Sequence, residues 1–202
     1  MKLKDIAIYA KERVEMERLS LHNYISTENM LPEKGGIQTA NSLPSVSMTS
    51  SFRKGDILTS NIRPYFKKIW SADKEGGCSN DVLVLRAKGN CFPKFLYYVL
   101  SENSFFDYST ASSKGTKMPR GDKSVIMEYE VPNYSMPEQI AIANLFSSLD
   151  DKIALNKRIN DNLNCKKIQK IKKRPDDQIV VKTFSQARKF HIKICIKFRE
   201  AS

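Results

Sequence analysis

A chain of 202 residues with 41% hydrophobic and 9% aromatic residues is long and apolar enough to bury one domain plus an appendage, which excludes wholesale disorder. Its net charge of +12 points to a polyanionic partner such as nucleic acid. That charge is uneven: residues 1–164 hold 22 Lys and Arg against 19 Asp and Glu, whereas residues 165–202 hold 12 against 3.

Residues 2–18 read as a short helical or mixed lead-in, and Tyr24-Ile25-Ser26 begins the first strand candidate. Residues 30–51 are rich in Gly, Pro, Ser, Thr and Asn, which predicts a long irregular connection with one short strand at 46–48. Clearer strands follow at 57–60, 68–72 and 81–87, the last alternating around Val82, Leu83, Val84 and Leu85. The segment 73–77, DKEGG, reads as the turn between two of them. Pro93 then opens an amphipathic helix whose Phe95, Leu96, Val99 and Leu100 share one face.

The stretch 112–123, SSKGTKMPRGDK, is too punctuated by Gly and Pro for a helix or a central strand, so it is a cationic loop. A strand is expected at 125–131, stopped by Pro132. Ser135 and Glu138 have capping-box spacing, with Pro137 tolerated in the first turn of a long helix. Along that helix Ile142, Phe146, Leu149, Ile153, Asn156, Asn160 and Leu163 step by alternating fours and threes, and Leu145 and Ile159 widen the stripe. Continuous to Asn164, it is roughly 40 Å long at about 1.5 Å per residue. Such a stripe exceeds what one small domain covers, so part of it pairs with another helix, with Asn156 as the polar residue that sets register. The plainer alternative lays the whole helix on its own sheet.

No chemistry of turnover is visible. There is no Gly-rich phosphate loop, no cofactor-binding strand-turn, and no nucleophile with a base and an orienter. The segment 61–66, NIRPYF, only superficially matches the Asn-Pro-Pro-Tyr loop with which adenine methyltransferases hold a flipped base. Cys78, Cys91, Cys165 and Cys195 form no CxxC pair, and His22 and His191 lie far apart, so neither a zinc site nor any other metal is expected. The N-terminus lacks the apolar core of a signal peptide and no run of 18 apolar residues occurs. A cytoplasmic, non-catalytic binding protein is the expectation.

Four segments together resemble the specificity subunit of type I restriction-modification systems: GDILTSNIRPYFKKIW at 55–70, GGCSNDVLVLRAK at 76–88, FLYYVLSENSFFDYSTASSKGTKMPRGDK at 95–123 and PEQIAIANLFSSLDDKIALNKRINDNLN at 137–164. The resemblance covers nearly all of residues 1–164 and implies an α/β fold of mixed α+β type: a β-rich target recognition domain, 1–134, then one long coiled-coil-like helix, 135–164. Family members carry two such units in tandem, and this chain resembles the first. They have no catalytic residues of their own. They bind methyltransferase subunits, which carry S-adenosylmethionine, and a translocating restriction subunit, so S-adenosylmethionine, ATP and Mg are expected only on those partners.

The resemblance gives the basic loop a partner, double-stranded DNA. Lys114, Lys117, Arg120 and Lys123 offer charge to phosphates, the Gly115 and Gly121 backbones permit close approach, and Thr116 between them is a further DNA-binding candidate. A second cluster, Arg63, Tyr65, Lys67 and Lys68, suits guanine readout by arginine and phosphate contacts by lysine; its alternative is a strand edge with Tyr65 and Phe66 in the core. Helix pairing falls to Ile142, Leu145, Leu149, Ile153, Asn156, Ile159 and Leu163, in a homodimer or with another half-subunit. Residues 165–202 depart from the family; a frameshifted end and a genuine basic arm both fit their charge, and 191–198 alternate as a strand would. A competing function is an assembly fragment that binds methyltransferase subunits without reading DNA.

Overall fold

A computed structural model describes the backbone of residues 1–172 and the side chains of residues 1–163. The basic tail segment 173–202, including the strand expected at 191–198, lies outside the described residues. The chain divides between Ser147 and Ser148.

Within residues 1–147 eight strands form two sheets. They are β1 (Ala7–Tyr9), β2 (Arg13–Glu15), β3 (Tyr24–Ile25), β4 (Met48–Phe52), β5 (Ile57–Ser60), β6 (Ile69–Ser71), β7 (Gly76–Cys78) and β8 (Val82–Ala87). One sheet has the order β1-β8-β5-β6 and the other β2-β4-β7-β3; all pairings are antiparallel except β3 with β7. The helices are α1 (Leu3–Ile6), α2 (Pro93–Leu100), α3 (Asn103–Ala111), α4 (Lys123–Ile126) and α5 (Met136–Lys172).

The first sheet is buried on both faces, which is why its strands carry so few polar residues. Because strand side chains alternate, Leu83 and Leu85 of β8 and Ile57 of β5 enter a core with α2, α3 and α4, while Val82, Val84 and Leu58 enter a second core with Ile25, Phe52 and Cys78 of the other sheet. The layers are therefore helices, sheet, sheet. Burial in these apolar layers pushes the Cys78 thiol up to about 12 and the Cys91 thiol up to about 11, so neither is a thiolate at neutral pH.

Three local departures from the sequence expectation have physical causes. The 73–77 turn is shorter than its composition suggests, since Gly76 and Gly77 belong to β7. A Cβ at Gly76 would lie 2.1 Å from the Asn23 carbonyl oxygen and one at Gly77 would lie 2.4 Å from Leu19 Cδ1, so these glycines let the connection leading into β3 lie close against β7. The strand expected at 125–131 is instead α4 followed by an extended run. The Asp122 carboxylate caps α4, accepting from the amides of Ser124 at 3.0 Å and Val125 at 3.4 Å. The extended run is tied to the N-terminus, with the Leu3 amide donating to Tyr129 O at 2.8 Å and Val131 to Met1 O at 2.9 Å. Finally, the β strand near residue 46 starts later, at Met48.

Helix α5 starts where the Ser135-Glu138 spacing indicates. Glu138 accepts from the Ser135 amide at 2.8 Å, but the Ser135 hydroxyl donates to the same carboxylate at 2.6 Å rather than accepting from the backbone, so half of the box is formed. In its first turns Ala143 is fully buried and Ile142 packs against the helical core. Buried Gln139 uses its whole amide: it accepts from the Phe92 amide at 2.9 Å, at the start of α2, and donates to Tyr134 O at 2.9 Å and Asn90 O at 3.2 Å. Further along, Leu149, Ile153, Leu155, Ile159 and Leu163 are all exposed.

Candidate nucleic-acid interface

The two cationic segments meet. A backbone bridge pairs Ile62 with Arg120 across 58 residues of sequence, and a second pairs Lys114 with Arg120, closing the 114–120 loop on itself. The Arg63 amide donates to Pro119 O at 2.8 Å, the Gly121 amide to Asn61 O at 3.1 Å, and Arg63 Nη2 to Lys117 O at 3.3 Å. Two loops that look independent in sequence therefore form one surface.

The loop bearing Arg63 is held rigidly. Arg63 (φ 49°, ψ 62°) and Lys67 (φ 52°, ψ 44°) are both left-handed and flank a single 3₁₀ turn, Pro64–Phe66. That conformation is unfavourable for side chains with a Cβ, so it persists only under tertiary constraint. The constraint comes from both sides: Pro119 and Lys117 on one, and on the other the amides of Glu33 and Lys34, which donate to the Phe66 and Lys67 carbonyls at 2.9 Å each. Tyr65 and Phe66 are 45% and 39% exposed, so they are loop-tip residues and not the core pair of the alternative reading. Their rings pack on each other with centroids 4.8 Å apart.

The cations differ in what they can offer. Gly115, Thr116 and Lys117 are exposed at the loop tip. Lys114 pairs with Asp122 at 2.9 Å with its side chain 84% exposed. Arg120 is pinned to Asp81, which is absent from the residues singled out in the sequence: Oδ1 accepts from Nε at 3.1 Å and from Nη2 at 3.0 Å. Lys68 turns inward, donating to Thr27 O at 2.6 Å, and burial lowers its pKa. Its ammonium lies 5.9 Å from the Phe66 ring centroid. Lys67 lies 4.0 Å from Glu33. Lys123, the first residue of α4, is exposed, and its carbonyl accepts from Tyr9 Oη at 3.0 Å.

Between the loops lies a cleft of about 230 Å³, lined by Thr27, Glu28, Ser60, Ile62, Arg63, Phe66, Lys68 and Met118. Beside it, Arg63 Nε and Asn61 Oδ1 are buried without a hydrogen-bond partner. Among the described residues no cluster of His, Cys, Asp or Glu could hold a metal ion, and no helix is long and apolar enough to cross a membrane. The arrangement suits recognition of an anion-rich, groove-shaped ligand by side chains on rigid loops.

The family model described as the type I restriction modification DNA specificity domain matches residues 20–165, and the chain belongs to that family. The type I restriction enzyme EcoDI specificity subunit of Escherichia coli is 29% identical over 140 residues, covering 67% of this chain and 30% of that protein. The HsdS subunit from Thermoanaerobacter tengcongensis shares the fold with a TM-score of 0.61 at 19% identity, over 85% of this chain and 46% of that one. The type I S subunit from M. genitalium does so with a TM-score of 0.57 at 21% identity, over 85% and 44%. The chain thus spans less than half the length of these relatives.

Proposed function

We propose that this chain reads double-stranded DNA sequence-specifically as a non-catalytic specificity component of a type I restriction-modification system, directing partner methyltransferase and restriction subunits to one half of a bipartite site. The observation that carries this reading is the meeting of Arg63 and Arg120 on loops joined by the Ile62–Arg120 bridge. Phosphate contacts from Lys114, Lys117 and Lys123 set position, and the arginines read base edges. S-adenosylmethionine, ATP and Mg belong to the partner subunits. Methylation mapping in cells carrying this chain and a methyltransferase subunit tests it: a motif that appears only with this chain is expected, and methylation indifferent to its presence is the contrary result.

A second role falls to α5, favoured by its exposed stripe at Leu149, Ile153, Ile159 and Leu163. This stripe pairs with a second helix, of another copy or of another half-subunit, with Asn156 setting register. Leu145, also exposed, lies on the same helix within residues 1–147. A homodimer presents identical recognition domains in opposite orientation and so reads an inverted repeat with a fixed spacer. Leu149→Asp and Ile153→Asp should convert the dimer to monomer by light scattering while the β-rich domain keeps its circular dichroism. An asymmetric bipartite motif would instead indicate pairing with a different half-subunit. If DNA selectivity is absent and methyltransferase binding persists, the chain is an assembly fragment.

A further inference from the structure

The cleft between the loops mixes cations with apolar side chains, and the apolar ones have no function in holding phosphates. Met118 is 48% exposed and Phe66 39% exposed, and both line the cleft with Ile62. Phe66 is fixed, with the Tyr65 ring tilted against it at 54° and the Lys68 ammonium 5.9 Å from its centroid. An apolar surface on a DNA-facing site has two uses. Side chains that project act as wedges between base steps from the minor groove. Side chains that line a concavity receive an apolar group, and the only one that duplex base edges present is the thymine 5-methyl, in the major groove. Phe66 and Met118 line a cleft, so they receive. Glu28 on the same lining repels phosphate, and Lys68 is committed to the Thr27 carbonyl, so base edges and not the backbone enter here.

Resting on the DNA-reading function proposed above, we propose that the Phe66–Met118 cleft is a thymine-methyl receptor, which makes one T·A pair a preferred letter of the half-site beside the base that Arg63 reads. The volume of about 230 Å³ accepts the methyl and the adjoining pyrimidine edge. Phe66 and Met118 are specificity-determining residues, and neither is needed for phosphate contact.

The test uses the full chain with its methyltransferase subunit and duplexes bearing the mapped half-site, in which each thymine in turn is replaced by deoxyuridine. Removal of that single methyl should weaken binding about fourfold at one position, the equilibrium factor of one buried methyl-sized group. Met118→Ala and Phe66→Leu should shrink that thymine-to-uracil ratio toward one, whereas Lys117→Ala, which removes a phosphate contact outside the cleft lining, should weaken both duplexes equally. Met118 lies in an exposed loop, so its variant folds independently of what happens at Phe66. No uracil-sensitive position, a ratio unchanged in both variants, or a half-site with no thymine in either strand overturns the receptor while leaving selective DNA binding intact. Absence of any selective binding overturns both.

Discussion

Arg120 donates through Nε and Nη2 to a single oxygen of Asp81, at 3.1 and 3.0 Å, with both side chains partly open to water. The carboxylate aims the guanidinium and at the same time offsets its charge. Asp81→Ala should therefore raise affinity for nonspecific duplex and steepen its salt dependence, by up to about one phosphate contact, while eroding discrimination between target and nontarget. Arg120→Ala should lower both affinities. Salt titrations on the two duplexes measure this, and an Asp81→Ala variant with unaltered discrimination would remove Asp81 from any aiming role.

Lys117 and Lys114 should not behave alike. Lys114 is already paired with Asp122 at 2.9 Å, so its exchange for a phosphate contact surrenders an existing ion pair. Lys117→Ala should lower the salt slope by about one unit and weaken all duplexes, and Lys114→Ala should lower it by less. Equal slopes for the two variants would show that the Asp122 pairing is irrelevant once DNA is bound.

The closure of the two loops rests on Gly121. A Cβ there would meet Ile126 Cδ1 at 2.9 Å, Ser109 Oγ at 2.9 Å and Asn61 Oδ1 at 3.1 Å. Gly121→Ala should destabilise the β-rich unit, residues 1–147, by about 1–3 kcal/mol, seen as a melting-temperature drop of roughly 2–4 °C per kcal/mol. It should also cost DNA affinity by spreading residues 61–63 from 119–121. A variant as stable as the parent would show that the contact relaxes freely.

Much of this architecture is legible in the residues. Helix α2 and strands β5, β6 and β8 follow from periodicity, because each buries a face that its spacing already defines. What failed to show was set by a local cap or by distant partners. Asp122 captures 123–126 for a helix despite Val125 and Ile126, and β7 is made of glycines whose value lies in what they let approach. Helix α3 also passed unnoticed, its Phe105, Phe106 and Ser109 buried among polar residues that blur the stripe. Both cationic clusters were visible, but their union depends on a backbone bridge between Ile62 and Arg120 that no local pattern encodes, and Lys68 turns inward for a carbonyl at Thr27. The Arg120–Asp81 pairing likewise spans 39 residues, so no local pattern encodes it.

Acid stability should depend on a different network. Arg86 of β8 holds Asp56 with Nε and Nη2 at 2.7 Å each and also donates to Glu12, which Arg53 approaches at 3.2 Å. The Arg86 hydrogen bond is the main cause holding the Glu12 carboxyl below the usual glutamate range. A carboxyl depressed by folding stabilises the protein fully above its unfolded value, about 4.3, and that contribution fades as pH falls through the folded value. Glu12→Gln should therefore flatten the loss of stability below about pH 4.3 without changing the melting curve's shape near neutrality. An acid limb unchanged in this variant would assign acid sensitivity to other carboxylates.

The loops that meet at the cleft are joined through main-chain atoms: Arg63 to Pro119, Gly121 to Asn61, Glu33 to Phe66 and Lys34 to Lys67. Backbone joints are indifferent to the identity of the side chains they carry. Under the proposed function, positions 65, 66, 117 and 118 can thus be rewritten like type in a fixed frame, and one scaffold can acquire a new vocabulary by a few substitutions with no refolding of its sheets. For an engineer, this makes the frame portable and confines a combinatorial library for altered targets to a handful of codons.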